Sequence, residues 1–374
     1  MIRKTLLLLS SIALFSSCDN DLQIIADWKD IPVVYGILNA EDSVHYVKLN
    51  RAFLGQGDVM MMAQEFDSLH YTEGEVGLRI LEQERGWNQI ENSEDWITLR
   101  QIELEATDEF EKPEGIFSSP TQIIYKTSEE LNDDYFYATE VYRKSNDTII
   151  AATENPIDLL NPVNLIRPNS VSPLTISANG YAPKAEWKTV EGGIMYELSM
   201  RFNYLEFQVD GSSDTLELSI EMDFPSRLSS NSLGGDNMSF SIEYSQFLNF
   251  IASNIQEDAT VRRLAVGMES AQVVSGFAIS HACLEFTLRA AGEDLSTFLI
   301  LNQNSSSLVL ERPEYSNIEN GIGILSSRSI DFVSGVKISN SSNDEIATSD
   351  VTKHLNFGSY VLNGDNEIEI SYGN

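Results

Sequence analysis

The sequence is short of cysteine, histidine and basic residues. Two Cys occur in 374 residues, Cys18 and Cys283. Cys18 belongs to an N-terminal signal, so neither a disulfide framework nor a Cys-based zinc site is available. The four His (His45, His70, His281, His354) are scattered, with no H-E-x-x-H or other metal spacing. Lys and Arg number 24 against 57 Asp and Glu, a formal net charge of −33. A chain this acidic lacks the basic surface that releases counterions from phosphates, which excludes nucleic acid as a partner. An anionic membrane surface is an equally poor electrostatic partner. There is no G-x-S-x-G elbow and no P-loop. Gly321-Ile-Gly323 lacks the third glycine of a dinucleotide loop, so no cofactor is expected there. What is present is apolar content of 42% and aromatic content of 9%, too rich for wholesale disorder.

The chain opens MIRKTLLLLSSIALFSSC. Arg3 and Lys4 form a basic start, and the largely apolar stretch from Leu6 to Phe15 is too short to span a bilayer. Ser16 and Ser17 lead to Cys18. The pattern resembles a bacterial lipoprotein signal, with Phe15 where Leu is usual, three residues before the Cys. Cleavage would leave Cys18 as an acylated N-terminus, and several acyl chains on one Cys give the stable anchor that a single chain does not. Asp19, Asn20 and Asp21 then resemble the surface-export signal of Bacteroides-type lipoproteins. No later stretch approaches 18 uninterrupted apolar residues.

At roughly 150 residues per domain, the remaining length predicts two or three domains. Five of the ten prolines fall between 156 and 183. Proline removes ladder donors and favours extended connections. The expected division is therefore a signal at 1–17, an N-terminal domain at 18–155, a Pro-rich linker at 156–183 and a C-terminal domain at 184–374. In the first half PVVYGILN (32–39), SVHYVKLNR (43–51), VGLRIL (76–81), YFYATEVY (135–142) and TIIAAT (148–153) read as short strands between polar turns. In the second half Ile194, Tyr196, Leu198, Met200, Phe202 and Tyr204 share one parity. Leu216, Leu218, Ile220, Met222 and Phe224 do the same after a turn at 210–214. Period two over two long strands demands one buried face, the pattern of an antiparallel sheet. Phe240, Tyr244, Phe247, Leu248, Ile251 and Ile255 follow helical spacing and predict a helix near 241–256. A long strand near 273–288, a short helix at 292–303 and a terminal hairpin (357–362 and 367–372, turning at Asn363-Gly364) follow. The fold class expected is mainly β: two antiparallel sandwiches of immunoglobulin or fibronectin type, with a short helical insertion in the second.

Few residues suggest chemistry. His281 and Cys283 are two apart on a predicted strand, hence on one face, which is the spacing of a Cys–His nucleophile pair or of a packed strand with a buried thiol. Asp210 with Asp214, Asp133 with Asp134, and Asp365 with Glu367 place oxygen ligands in turns. Such turns offer Ca2+ a weak site or are simply solvated. Carboxylates are too numerous for any pair to be singled out as that of a glycosidase. Met60, Met61 and Met62, followed by Phe66, Leu69 and Tyr71, mark 57–72 as a short helix over a sandwich end or an adaptable apolar contact loop. No catalytic, cofactor-binding or metal-ligating residue is assigned; the one assigned site is lipidation at Cys18.

Residues 311–328 read ERPEYSNIENGIGILSSR. Together with PVVYGILN, SVHYVKLNRAF and the pair YFYATEVY…TIIAATENP, this segment resembles the C-terminal signature of an uncharacterised family of Bacteroides-type surface lipoproteins. Leu325 stands where that family more often shows Phe. The resemblance implies a two-part β-sandwich, often found beside TonB-dependent outer-membrane transporters, with no catalytic residue to carry over. Read from the residues alone, Gly321 and Gly323 permit unusual backbone angles and Asn317 and Asn320 suit turns. The expectation is a lipid-anchored protein of the outer membrane, exposed at the cell surface, with a non-catalytic binding or transporter-accessory role. A purely structural envelope component and a carboxylate-dependent hydrolase are the alternatives.

Overall fold

The computed structural model describes residues 30–52, 61, 63–88, 93–111, 115, 122–178, 180–211, 215–267, 282–303, 315–362 and 368–372. The first half supplies β1 (Ile31–Leu38), β2 (His45–Ala52), β3 (Val76–Asn88), β4 (Ser93–Glu103), β5 (Glu105–Thr107), β6 (Ile124–Thr127), β7 (Phe136–Arg143), β8 (Thr148–Thr153) and β9 (Ile157–Asp158). β10 (Leu165–Arg167), β11 (Lys184–Lys188), β12 (Met195–Gln208), β13 (Leu216–Asp223), β14 (Arg227–Leu228) and β15 (Asn237–Ser241) follow. After them come β16 (Val261–Leu264), β17 (Ala282–Ala291), β18 (Ile318–Glu319), β19 (Ile322–Lys337), β20 (Gly358–Leu362) and β21 (Ile368–Tyr372). The helices are α1 (Phe66–Leu69), α2 (Tyr244–Asn254), α3 (Glu293–Gln303) and α4 (Asn340–Thr348).

A ten-stranded sheet, in the order β13-β12-β17-β19-β1-β2-β6-β5 with β14 and β16 also pairing β12, runs through both halves. In the first half it faces a second sheet, β18-β8-β7-β3-β4 with β9 on β7. Alternation drives this packing. Val34 and Leu38 of β1 and Val47 and Leu49 of β2 point inward from one layer. Leu78 and Ile80 of β3 and Tyr137 and Val141 of β7 point inward from the other, all within one buried cluster. Each such side chain contributes about 1.5–3 kcal/mol on leaving water. α1 forms within 57–72, where Leu69 is buried and Met61 is exposed; Met60 and Met62 lie outside the described residues.

In the second half the expected parity holds on β12. Tyr196, Leu198, Met200, Phe202 and Tyr204 are all buried in one core, with Phe286 and Leu288 of the adjoining β17. β13 is the edge of the sheet, so Leu218, Ile220, Met222 and Phe224 are half-buried and Leu216 is exposed. The layer opposite is composite. It combines the three-stranded sheet β10-β11-β15, which supplies Trp187 and Phe240, with Phe247, Leu248 and Ile251 of α2 and Ile346 and Ala347 of α4. α2 lies where its spacing predicts. α4 is an addition to the expected architecture: the Ser339 hydroxyl accepts from the Ser342 N–H at 3.3 Å and caps the helix. β20 pairs β21 as the terminal hairpin, and Asn363 and Gly364 lie outside the described residues. Most of the strand expected at 273–288 also lies outside them; β17 covers its end.

One strand joins the halves. β19 pairs parallel with β1 from Val33↔Ile322 to Leu38↔Ser327. From Arg328↔Ala291 to Lys337↔Ala282 it pairs antiparallel with β17. β18, just before it, pairs β8. Thus residues 318–327, within the stretch 184–374, complete the sandwich of the stretch 18–155. The NIENGIG signature explains the geometry. Asn320 turns the chain at φ 56, and Gly323, at φ +119, lies so close to β1 that a Cβ there would meet the Val34 carbonyl oxygen at 1.8 Å. The Pro-rich stretch is packed against the body at Leu159, Leu160, Val163, Leu165 and Ile176, which are buried, and is exposed between and after them, at Val171 and Tyr181. Val163 and Leu165 donate their N–H groups to Ser329 Oγ (2.9 Å) and Asp331 Oδ2 (2.7 Å) of β19.

Candidate functional site

Where the two halves meet, a cleft of about 410 Å³ opens between segments far apart in sequence. Arg85 and Trp96 come from the ends of β3 and β4, which extend past the rest of their sheet toward the second half. Phe136 begins β7, and Pro156 to Leu160 contribute the start of the Pro-rich stretch. The second half supplies Glu191, Gly192 and Ile194, the turn at Ser232-Leu233, and Gly292 to Asp294 at the start of α3. The remaining lining residues are Ser326 and Ser327, where β19 passes from one half to the other.

The wall on the first half is aromatic. Trp96 and Phe136 lie 4.9 Å apart at 57°, and the Arg85 guanidinium sits 5.2 Å from the first ring centre and 5.5 Å from the second. This is a cation held over π faces at an exposed position. The wall on the second half is built by hydroxyls. Ser326 Oγ accepts from the Leu295 N–H (2.9 Å), and Gly292 N–H donates to the Ser327 carbonyl (2.9 Å), which seats the first turn of α3 on β19. α3 also covers the outer face of the sheet, where Ile37, Phe298 and Leu299 pack around Ile324.

Charge in the cleft is one-sided. Asp158, Glu191, Glu293 and Asp294 face a single cation among the described lining residues, Arg85. Burial holds the Asp158 carboxyl above the usual aspartate range. The Glu191 carboxylate raises it further, and Arg85 works in the opposite direction. Asp294 accepts from the Tyr315 hydroxyl at 2.5 Å, and burial together with this carboxylate pushes the Tyr315 phenol well above its ordinary value. The cleft therefore offers acceptors and two aromatic faces, suited to a ligand bearing hydroxyl or ammonium donors and unsuited to an anion. Three further depressions are larger and drawn from fewer segments. The largest, of about 610 Å³, lies beside Arg100, Lys126 and Glu129. Another, of about 580 Å³, lies along the Pro-rich stretch at Arg167, Tyr181 and Lys184. The third, of about 560 Å³, covers the mouth of the first sandwich at Phe66, Tyr71 and Tyr125.

The residues singled out in the sequence lie elsewhere. Cys283 is fully buried in the second core, and burial pushes its thiol far above the range of a nucleophile. His281 lies outside the described residues, as do Cys18, Asp214, Asp365 and Glu367. Among the described residues no group of three or more His, Cys, Asp or Glu is arranged to hold a metal ion. Asp133 lies close enough to raise Asp158 further. The ring of His70 stacks on Phe66 at 4.2 Å, and His354 is exposed. Gly321 and Gly323 serve strand packing. None of Arg85, Trp96, Phe136, Asp158 or Glu191 carries a linear signal, since the cleft is assembled from segments about 240 residues apart at their extremes.

No family model matches the chain, and no curated protein matches it. Among solved structures, one similar chain is the C-terminal globular domain of oligosaccharyltransferase from Pyrococcus abyssi. It is 10% identical, the match covers 61% of this chain and 43% of that one, and the TM-score is 0.20. The match thus spans less than half of that neighbour's length.

Proposed function

We propose that the protein is a binding protein of the outer membrane, tethered through acylated Cys18 and facing the cell surface. It holds a ligand in the cleft between its halves in the service of a neighbouring TonB-dependent transporter. The observation that carries the reading is the cleft itself: an aromatic pair on one wall and an excess of carboxylates around it, brought together only by the folding of both halves. Sites of this kind, concave and with a few convergent polar groups, are the usual places for small ligands. The lipoprotein-like signal at Cys18 supports the address.

Three measurements test the reading. Labelled palmitate should enter the wild-type protein and not Cys18→Ser. Co-purification from detergent-solubilised outer membrane should recover a transporter. A screen of neutral glycans and amines should find a ligand whose affinity falls on Trp96→Ala. Failure to recover any partner or ligand would leave a structural envelope component.

One observation favours a second reading. Asp158, with its carboxyl raised beside Glu191, is what a carboxylate-dependent hydrolase needs for a proton donor. Turnover of a glycan or peptide by the purified protein, abolished in Asp158→Asn, would replace the binding role with a catalytic one.

A further inference from the structure

We infer that the protein stands on the lipid surface by the Asp30 end of its first sandwich, and that the second sandwich and the cleft are held on the far side. This rests on the acylation of Cys18 proposed above.

Asp30, the first described residue after Cys18, is held by a closed network. Arg51 pairs with Asp30 (3.3 Å) and with Glu75 (2.9 Å). Arg143 pairs with the same two carboxylates, at 2.5 Å to Glu75. The Tyr71 hydroxyl donates to Asp30 at 3.0 Å, and the Arg51 guanidinium lies 4.7 Å from the centre of that ring. Two arginines shared between two carboxylates hold more firmly than isolated surface pairs. A pull on the tether is therefore delivered to the ends of β2 and β7 and the start of β3, and not to β1 alone.

Strand direction then sets what lies beyond. β1 runs away from Asp30 for eight residues, about 25 Å. β19 runs parallel beside it, and from Arg328 to Lys337 it continues onward along β17, about 30 Å further. The cleft lies at the changeover, with Ser326 and Ser327 in its lining. The far tip, around Val209, lies past the distal end of β17. Between Cys18 and Asp30 the chain reaches at most about 40 Å when fully extended. An inverted molecule would need that tether to pass along the whole body, about 55 Å of strand, which it cannot do. The acidic excess, −33 over the full chain and greater once Arg3 and Lys4 are removed with the signal, opposes lying flat on an anionic surface.

The test uses the acylated full-length protein reconstituted in vesicles of phosphatidylcholine and phosphatidylglycerol that carry an energy-acceptor headgroup. Ser145→Cys, in the exposed turn that follows Arg143, and Val209→Cys, at the opposite end, are each labelled with a donor dye. The native Cys283 is fully buried and takes no label. Transfer from position 145 should be several-fold more efficient than from position 209. Equal or reversed transfer, with the protein still floating with vesicles, overturns the orientation. Failure to float with vesicles overturns the anchoring itself.

Discussion

Asn317 binds Leu325 as a neighbouring strand would. Its side-chain amide donates to the Leu325 carbonyl at 2.8 Å, and its side-chain carbonyl accepts from the Leu325 N–H at 2.9 Å. Both groups are buried, and they hold the returning chain flat just where β19 is laid against β1. Replacing Asn317 with Ala leaves a buried donor and a buried acceptor unpaired, at about 2–4 kcal/mol. Asp at this position can still accept but no longer donate, so it recovers part of the loss at most. Gly323→Ala is harsher, at about 3 kcal/mol or more, because strain at positive φ is added to collision with the Val34 carbonyl. Urea denaturation midpoints should fall in the order wild type, Asn317→Asp, Asn317→Ala, Gly323→Ala.

His45 is 2% exposed, and among the described residues neither ring nitrogen has a partner in good hydrogen-bond geometry. Burial lowers its pKa below the ordinary 6.5, against the opposing pull of Asp42 and of the Glu129 backbone. The folded protein therefore binds this proton less readily than the unfolded chain does. Stability from this site is complete above about 6.5 and is lost as pH falls below it. His45→Phe should flatten the pH dependence of the melting temperature between pH 7 and 5, with little loss at pH 8. A variant that keeps the full acid-side slope would show that other groups cause it.

Asp158 works in the opposite sense. Its folded-state pKa is raised, so its contribution is present below the ordinary aspartate value and is lost as pH rises through the raised one. Asp158→Asn should remove that decline and leave the fold intact, since the residue stands at the rim of the cleft. An NMR titration of Asp158 in wild type and Glu191→Gln should show the value moving down when the neighbouring charge is removed. An unmoved value would mean that the two carboxylates do not sense one another.

Arg263 is 3% exposed, pairs with Glu206 at 2.7 Å, and donates to the carbonyls of Leu355 (2.7 Å) and Gln256 (3.1 Å). It ties β12 to the segment that follows α2 and to the one that follows α4. Arg263→Ala strands Glu206 and two carbonyls, and should cost about 3–5 kcal/mol. Glu206→Gln, which retains an acceptor, should cost less. Equal losses in chemical denaturation would assign the effect to the ion pair alone.

Much of the layer architecture was legible, because alternation on β12 and helical spacing on α2 are local consequences of burying one face. α4 was not: Asn340-Ser-Ser-Asn-Asp is made of weak helix formers, and the helix exists because Ser339 caps it and Ile346 and Ala347 dock in a core built elsewhere. The pairing of β1 with β19 was beyond reach, since each strand's pattern records that it has buried faces and not which strand lies beside it. The cleft was illegible for the same reason. Trp96, Phe136 and Asp158 have ordinary neighbours in sequence and acquire their meaning from Glu191 and Ser327.

The changeover at Ser327–Arg328 also dictates an order of assembly. A chain delivered from its N-terminus presents β1 long before the strand that lies beside it exists, a gap of about 290 residues. Any truncation before Ile318 removes the closing strand of the first sandwich together with a central strand of the second, so an N-terminal half-length fragment should be insoluble where the whole chain is not.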